Sequence, residues 1–135
     1  MMPQTPLVDR AQRHVFVYGT LRRGGRNDIA RCRPLPVFAG RAVIAGTLFD
    51  LGAYPGARLG GDGLIHGEVY AITPEVEAEL DLLEEVEEDG SGEYVKRELQ
   101  VSSRDGSWSC LVYEIQPDRV RDAVVIPGGD WLARI

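Results

Sequence analysis

Eight carboxylates lie between residues 75 and 88, and one of them is well placed for acid–base chemistry. Acidic runs of this kind usually form a solvated helix face, which is the interpretation we favour for most of them. On a helical wheel, Val76, Leu80 and Leu83 form one narrow apolar stripe. Glu84 lies at the border of that stripe, about 75° from its centre. The spacing therefore predicts a half-buried carboxylate at Glu84.

Partial burial disfavours the charged form of a carboxyl group, so we expect the pKa of Glu84 to be raised. The acidic residues that follow it would shift its pKa in the same direction. A carboxyl group with a raised pKa can accept a proton and return it near neutral pH. Glu77 lies nearly as close to the stripe, and the wheel alone does not decide between the two. Asp81 and Glu85 are predicted to point away.

The stretch from residue 14 to residue 25 could bind an anion. Its first half is apolar and rich in β-branched and aromatic residues, which predicts a short buried strand over residues 15–18. Gly19 ends the apolar run, and a strand that ends in a glycine loop leaves backbone N–H groups without a ladder partner. Glycine allows a ligand to approach such groups closely, and together they can bind an anion. The alternative is an ordinary strand followed by a turn.

The rest of the chain predicts the elements that must position these groups. Thr73 and Pro74 indicate the start of a helix, which is expected to end near Val86. Strands are predicted on both sides of this helix, at residues 37–50, 64–72, 93–103 and 107–115. One helix between strands indicates an α+β fold, with the helix packed on a curved or closed mixed sheet.

Several local features are also predicted. Gly40 and Gly46 are expected to form bulges or bends in the strand over residues 37–50. Residues 60–63 are expected to form a flexible loop, because three of the four are glycine. Trp131 is expected to fill the core rather than to line a site.

Two tyrosines extend the predicted site. Tyr94 and Tyr113 lie on the two neighbouring strands of the last predicted hairpin, and both could lean toward one cavity. The alternative, in which their rings pack in the core with the hydroxyl at the edge, is equally consistent with the pattern.

The composition excludes several classes of function. With 135 residues, the chain fits a flexible N-terminal tail at residues 1–13 and a single domain at residues 14–135. A net charge of −6 argues against a nucleic-acid binder. No apolar run reaches the ~18 residues of a membrane span, and residues 1–13 lack the apolar core of a signal peptide. We therefore expect a cytoplasmic protein with neither a nucleic-acid nor a membrane partner.

A small basic cluster, Arg22, Arg23 and Arg26, interrupts this acidic chain. No aromatic residues are interleaved with it, as they would be in many nucleic-acid sites. The cluster is interpreted either as a solvated loop or as a local partner for an anionic ligand.

Several motifs resemble those of the γ-glutamylcyclotransferase-like superfamily, in which the γ-glutamylamine cyclotransferases fall, and they occur in the family's order. Val17-Tyr18-Gly19-Thr20-Leu21-Arg22 resembles its opening Tyr-Gly-Thr/Ser-Leu loop, and Leu80-Asp81-Leu82-Leu83-Glu84 resembles its Leu-Asp-x-x-Glu motif. The resemblance covers roughly residues 14–131. Its remaining motifs are Leu48 to Gly56, Gly67-Glu68-Val69-Tyr70, Tyr94 to Val101 and Gly129-Asp130-Trp131.

The resemblance implies a small mixed β-barrel flanked by helices, with a ligand cavity at one mouth of the barrel. It implies an enzyme that cyclises a γ-glutamyl compound and releases 5-oxoproline and an amine, with Glu84 as the catalytic acid and base. The backbone of Tyr18, Gly19, Thr20 and Leu21 would hold the substrate carboxylate. No metal or organic cofactor is implied, and the oligomeric state is left open.

One departure from the family's pattern lies beside the implied catalytic residue. The family has glycine after the catalytic glutamate, where this chain has Glu85, and the loop at residues 87–92 is enlarged. These changes bear on the identity of the substrate more than on the fold. They also leave open a non-catalytic ligand-binding or interaction domain with the same pocket.

Overall fold

The computed structural model describes residues 13–87 and 89–133 of the chain. Two short 3-10 helices, Ile29–Arg31 and Pro117–Val120, lie in loops. The tail predicted at residues 1–13 falls outside the described residues except for Arg13, which already belongs to a strand. In chain order the other elements are β1 (Arg13–Val17), β2 (Val37–Asp50), β3 (Pro55–Ile72), α1 (Pro74–Leu83), β4 (Tyr94–Ser103), β5 (Gly106–Ile115) and β6 (Val124–Val125).

The strands form one mixed sheet in the order β4-β5-β1-β3-β2-β6. Strand β1 pairs antiparallel with β3 and parallel with β5, and the other pairings among the described residues are antiparallel. Strands β2 and β4, which are not neighbours in the sheet, also contact each other, because the sheet curls into a half-barrel. The predicted α+β class and mixed barrel-like sheet are confirmed. The described residues contain one α-helix where the resemblance implied several.

Strand β1 contributes to two hydrophobic cores, one on each face of the sheet. Val15 and Val17 pack in the core that also buries the inner side of α1. Phe16 packs in the core on the other face, because successive side chains of a strand point to opposite faces. Trp131 lies in that second core with 4% of its surface exposed, which confirms its predicted role.

The long hairpin of β2 and β3 confirms one prediction and shows that another is wrong. The register between the strands shifts at Gly40 and at Gly46, where bulges were predicted. Residues 60–63, predicted to be a flexible loop, lie within β3. Because the shift at Gly46 carries the pairing from Leu64 directly to Leu59, residues 60–63 project as an exposed bulge of the strand.

The start of α1 is as predicted, but its buried face is narrower. Thr73 Oγ1 accepts the N–H of Val76 at 3.3 Å, and Pro74 is the first helical residue. Val76 and Leu80 are fully buried, whereas Leu83 is 49% exposed. The predicted stripe is therefore wrong at Leu83, which is the last residue of α1 and lines open clefts at that end of the helix.

The end of α1 comes three residues earlier than the predicted Val86. The N–H of Glu85 donates to Leu82 O at 3.2 Å and the N–H of Val86 donates to Asp81 O at 3.0 Å. This pair of bonds is the Schellman motif, which requires a left-handed residue directly after the cap. Glu85 occupies that position with a φ of 52°, so Glu84 is the cap residue and the chain turns away from the helix there.

Candidate active site

The loop that follows β1 presents three backbone N–H groups that have no acceptor in the described part of the chain. The carbonyl oxygens of Gly19, Thr20 and Leu21 each accept a backbone N–H from further along the loop, at 2.9 to 3.0 Å. Within residues 13–87 and 89–133, the N–H groups of the same three residues have no acceptor. A Cβ atom at Gly19 would lie 2.6 Å from Pro55 Cγ, so only glycine fits where the loop passes the start of β3. Free N–H groups on such a loop can bind an anion.

An ion-pair network holds this loop against the sheet. Arg22 is 9% exposed, and its Nε donates to Glu68 Oε2 at 2.9 Å while its Nη1 donates to Asp130 Oδ1 at 2.7 Å. The other oxygen of Glu68 accepts the backbone N–H of Arg23 at 2.9 Å and the hydroxyl of Tyr70 at 3.0 Å. Three of the motifs that carry the resemblance thus meet behind the loop and fix its position.

The predicted basic cluster does not act as one unit. Arg22 is buried in the network, so the prediction that it is solvated or free for a ligand is wrong. The Arg23 guanidinium lies 5.3 Å from the centre of the Phe38 ring, a cation–π contact on the surface of the sheet. Arg26 Nη2 donates to Ala53 O at 3.4 Å at the edge of the site.

A small cavity lies between this loop, the end of α1 and strands β4 and β5. It measures about 20 Å³, and we call it the inner cavity. All seven predicted site residues line it, so the structure brings together what the sequence could only propose separately; their roles stay predictions. Its complete lining is Phe16, Val17, Tyr18, Gly19, Thr20, Leu21, Tyr54, Pro55, Glu84, Tyr94 and Tyr113.

Three of the four tyrosines that line the inner cavity donate their hydroxyls to groups of the sheet and of α1. Tyr18 donates to Tyr113 O at 2.6 Å, Tyr94 donates to Pro55 O at 2.7 Å, and Tyr113 donates to Asp81 Oδ1 at 2.7 Å. Burial is the main cause that raises the pKa of all three phenols. These side chains therefore shape the cavity with their rings while their hydroxyls hold its walls together.

Asp81 has a role that the helical wheel missed. It was predicted to point away from the packed face, but it accepts the hydroxyl of Tyr113 and, at 2.9 Å, the ammonium of Lys96. Lys96 also donates to Glu77 Oε2 at 2.6 Å, and Arg13 Nη1 lies 3.6 Å from Glu77 Oε1. Glu77 is therefore engaged in ion pairs and does not line the inner cavity, whereas Glu84 does. Which of the two carboxylates takes part in a reaction stays a prediction.

Glu84 combines burial with a carboxyl group that has no partner among the described residues. Its carboxyl group lines the inner cavity and has no hydrogen bond to any group in residues 13–87 and 89–133. Burial first, and the negative charge of Glu93 second, raise its pKa to about 7. The predicted upward shift is confirmed. A carboxyl group with a pKa of about 7 is about half ionised near neutral pH.

Glu93 is a site residue that the sequence did not reveal. It stands directly before β4, and the hydroxyl of Tyr54 donates to its Oε2 at 2.5 Å. This hydrogen bond is the main cause that raises the pKa of Tyr54 to about 12. Strand alternation would turn Glu93 away from the face of Tyr94, and only its position outside the strand allows both to reach the same site.

The inner cavity continues outward into a cleft of about 120 Å³, which we call the outer cleft. Thr20, Tyr54, Glu84 and Tyr94 line both spaces, so Glu84 stands at their junction. The outer cleft is lined in addition by Arg26, Asn27, Leu83, Glu85 and Glu93.

Known proteins are similar to this chain in sequence and in fold. Residues 15–133 match the family described as gamma-glutamyl cyclotransferase, AIG2-like. The chain belongs to this family. Within it, the gamma-glutamylcyclotransferase family protein YtfP of Escherichia coli is 36% identical over 122 residues, which cover 89% of this chain and 96% of YtfP. The predicted enzyme class is thereby confirmed at the level of the cyclotransferase family.

Solved structures of the gamma-glutamyl cyclotransferase family have the same fold. The solution structure of Escherichia coli YtfP gives a TM-score of 0.62 over 89% of this chain and 96% of that one. An AIG2-like protein from Mus musculus is 29% identical, with a TM-score of 0.65 over 82% of this chain and 83% of that one.

A further relative is similar in sequence over part of its length. It is named gamma-L-glutamyl-butirosin B gamma-glutamyl cyclotransferase, comes from Niallia circulans, and is 40% identical over 73 residues, which cover 53% of this chain and 46% of that protein.

In residues 13–87 and 89–133, no helix is long and apolar enough to cross a membrane. The same part of the chain contains no group of three or more histidine, cysteine, aspartate or glutamate side chains placed to hold a metal ion. The cytoplasmic location stays a prediction.

Proposed function

We propose that this chain cyclises a γ-glutamyl compound to 5-oxoproline and a free amine, with Glu84 as general base and general acid. The observation that carries the proposal is the position of Glu84. Its carboxyl group and the N–H groups after β1 line the same cavity, and neither has a hydrogen-bond partner in the part of the chain that the structure describes. Membership of the gamma-glutamyl cyclotransferase family supports this chemistry, as does the reaction in the name of the Niallia circulans relative.

The loop after β1 would bind the glutamyl end of the substrate. The N–H groups of Gly19, Thr20 and Leu21 have no acceptor among the described residues, and the α-carboxylate of a γ-glutamyl group would supply one. Because Arg22 is tied to Glu68 and Asp130 behind the loop, these donors are held in place before the substrate arrives. Such preorganisation reduces the entropy lost on binding.

Cyclisation then needs one new bond, one broken bond and one proton moved. The neutral α-amine attacks the γ-carbonyl carbon of the same molecule, and the new C–N bond closes a five-membered ring. Glu84 accepts the proton that the attacking nitrogen loses and donates it to the leaving nitrogen, after which the original amide C–N bond breaks. Because the reaction is intramolecular, holding the amine against the carbonyl supplies a large part of the rate.

The pKa of Glu84 suits both halves of this transfer. A pKa of about 7 leaves about half of the enzyme with the carboxylate that accepts the proton. The same value makes the protonated form a strong enough acid to release the proton to an amine nitrogen.

The proposal is tested by Glu84→Gln, which nearly keeps the shape of the side chain and removes its proton-accepting group. We expect the variant to fold and to bind substrate, while kcat falls about 10²–10⁴-fold. 5-Oxoproline release should be measured on a panel of γ-glutamyl amino acids and γ-glutamyl amines, and binding to the inactive variant by calorimetry. Glu75→Gln is the matched control, because Glu75 is an exposed carboxylate on the same helix and lines neither space.

Two outcomes would contradict the proposal. If Glu84→Gln keeps full activity while Glu77→Gln loses it, the wrong carboxylate has been chosen. If the unmodified protein binds γ-glutamyl compounds saturably and releases no 5-oxoproline from any of them, the chain is a binding domain on the same fold.

A further inference from the structure

A separate cleft adjoins the Arg22 network, outside the candidate active site. It measures about 330 Å³ and is lined by the first half of β2, the neighbouring part of β3 and the turn between β4 and β5. Among the described residues, it shares no lining residue with the inner cavity or with the outer cleft. A space of this volume is large enough for a small organic ligand.

Two arginines on opposite walls give this space its charge, and we call it the arginine cleft after them. Arg41 lies on β2, and Arg104 lies in the turn between β4 and β5. Neither guanidinium group forms an ion pair or a hydrogen bond within residues 13–87 and 89–133. Both side chains are exposed, so a ligand in the cleft can reach them.

Glu68 does not pair with Arg41, although the two residues lie opposite each other in the ladder between β3 and β2. One oxygen of Glu68 accepts the Nε–H of Arg22, and the other accepts a backbone N–H and a tyrosine hydroxyl. Glu68 is therefore fully engaged on the inner side of the network. The guanidinium of Arg41 is left facing the cleft without an anionic partner in the described chain.

The carboxylates of Asp130 and Asp105 also leave the two guanidinium groups open to a ligand. Asp130 lines the cleft but is paired with Arg22 at 2.7 Å. Asp105 follows Arg104 in the turn, and its Oδ2 lies against β2, 2.9 Å from where a Cβ atom at Gly40 would be. Asp105 is not part of the lining. An anion in the cleft would thus meet two unpaired cations and one carboxylate that is already paired.

We propose that the arginine cleft binds the phosphate group of a small phosphorylated compound between the guanidinium groups of Arg41 and Arg104. Arginine presents forked donors that match phosphate oxygens, and a phosphate monoester carries a charge of about −1.5 to −2 at neutral pH, close to one for each arginine. The hydroxyls of Ser102 and Ser103 line the same cleft and can donate further hydrogen bonds. The rest of the cleft has room for the organic part of the compound.

Titrations followed by amide chemical shifts in heteronuclear NMR spectra test the inference. The probes are glycerol 3-phosphate, inorganic phosphate, glycerate and uncharged glycerol. We expect glycerol 3-phosphate to bind most tightly, glycerate to bind about tenfold more weakly because it has one charge fewer, and glycerol not to bind. The largest shifts should occur at Gly67 and Ser103, which line the arginine cleft, and not at Gly19 and Thr20 of the inner cavity.

The double variant Arg41→Gln/Arg104→Gln should weaken the binding of glycerol 3-phosphate by about tenfold or more. Arg31→Gln/Arg121→Gln is the matched control, because it removes the same charge at exposed positions outside the cleft, and it should leave the affinity nearly unchanged. Urea unfolding checks that both double variants fold. Raising the NaCl concentration from 0.05 M to 0.5 M should weaken binding to the unmodified protein, because salt screens exposed charges.

Three results would overturn the inference. Glycerol 3-phosphate that binds no more tightly than glycerate, glycerol or inorganic phosphate would contradict a site for an organic phosphate. Equal losses of affinity in the two double variants would show a general effect of charge. Shifts confined to the loop after β1 would show that the phosphate binds in the inner cavity instead. None of these measurements uses turnover, so the inference and the proposed cyclisation succeed or fail separately.

Discussion

Replacing Glu85 with glycine should stabilise the protein, although most substitutions next to an active site do the opposite. Glu85 is the left-handed residue of the Schellman motif that ends α1, with a φ of 52°. A residue with a Cβ atom loses about 1–2 kcal/mol in this conformation, and glycine does not. Glycine also raises the conformational entropy of the unfolded chain, which offsets about 0.4–1 kcal/mol of the stability gained in the folded state. The net expectation is a free energy of unfolding higher by about 0.8 kcal/mol.

Equilibrium unfolding in urea measures this change. With a slope of about 1–3 kcal/mol per M for a small protein, the midpoint of Glu85→Gly should rise by roughly 0.5 M. Glu85→Ala keeps a Cβ atom in the same conformation and should change the midpoint little. Glu87→Gly, at an exposed position without a positive φ, should lower it.

The reasoning about the helix end would be refuted by one pattern of results. If Glu85→Gly unfolds at the same or a lower urea concentration than the unmodified protein, the left-handed backbone at residue 85 is not strained by its side chain. Glu85 would then be held there by interactions that compensate for the conformation.

Two further predictions concern buried charge. Glu84→Gln should be more stable than the unmodified protein at pH 8 and nearly equal to it at pH 4, as measured by urea unfolding at both pH values. The pKa of Glu84 in the folded state, about 7, lies above its ordinary value of 4.5, so the folded state binds the proton more tightly than the unfolded state does. The stability that this proton gives the unmodified protein, on the order of 3 kcal/mol, is lost as the pH rises through 7. A difference that is the same at both pH values would contradict the raised pKa. Arg22→Met should lower the free energy of unfolding by about 3–5 kcal/mol, because it leaves the buried carboxylate of Glu68 without its ion-pair partner. The double variant Arg22→Met/Glu68→Met should recover part of that loss in the same measurement. No recovery would show that the network stabilises the fold through packing alone.

The sequence by itself determined the features that depend on near neighbours in the chain. The alternation of apolar residues predicted β1, the Thr73–Pro74 pair predicted the start of α1, and the spacing from Leu80 predicted that Glu84 would be partly buried. Each of these rests on strand or helix periodicity or on a cap, which act over a few residues. The motifs after β1 and on α1 resembled those of one family, and their order along the chain could be compared with the order in that family.

The sequence was a less reliable guide to secondary structure where tertiary contacts opposed the intrinsic preference of a segment. The glycines at residues 60–63 are typical of a loop, yet pairing of the flanking segments with β2 keeps them within a strand. The helical pattern continued toward Val86, but the chain leaves the helix at Glu84 through a left-handed glutamate that no propensity favours. In both cases contacts made elsewhere override the intrinsic preference of the segment.

Only the tertiary structure decided which charges act on the site. Glu93 raises the pKa of Glu84 from a different element, and Arg22 reaches Glu68 and Asp130 across 46 and 108 positions of the chain. Asp81 accepts the hydroxyl of Tyr113, which lies 32 residues away in the chain. Neither periodicity nor charge pattern specifies such pairs, because they form only when the curled sheet brings β3, β4, β5 and the end of α1 around the loop after β1.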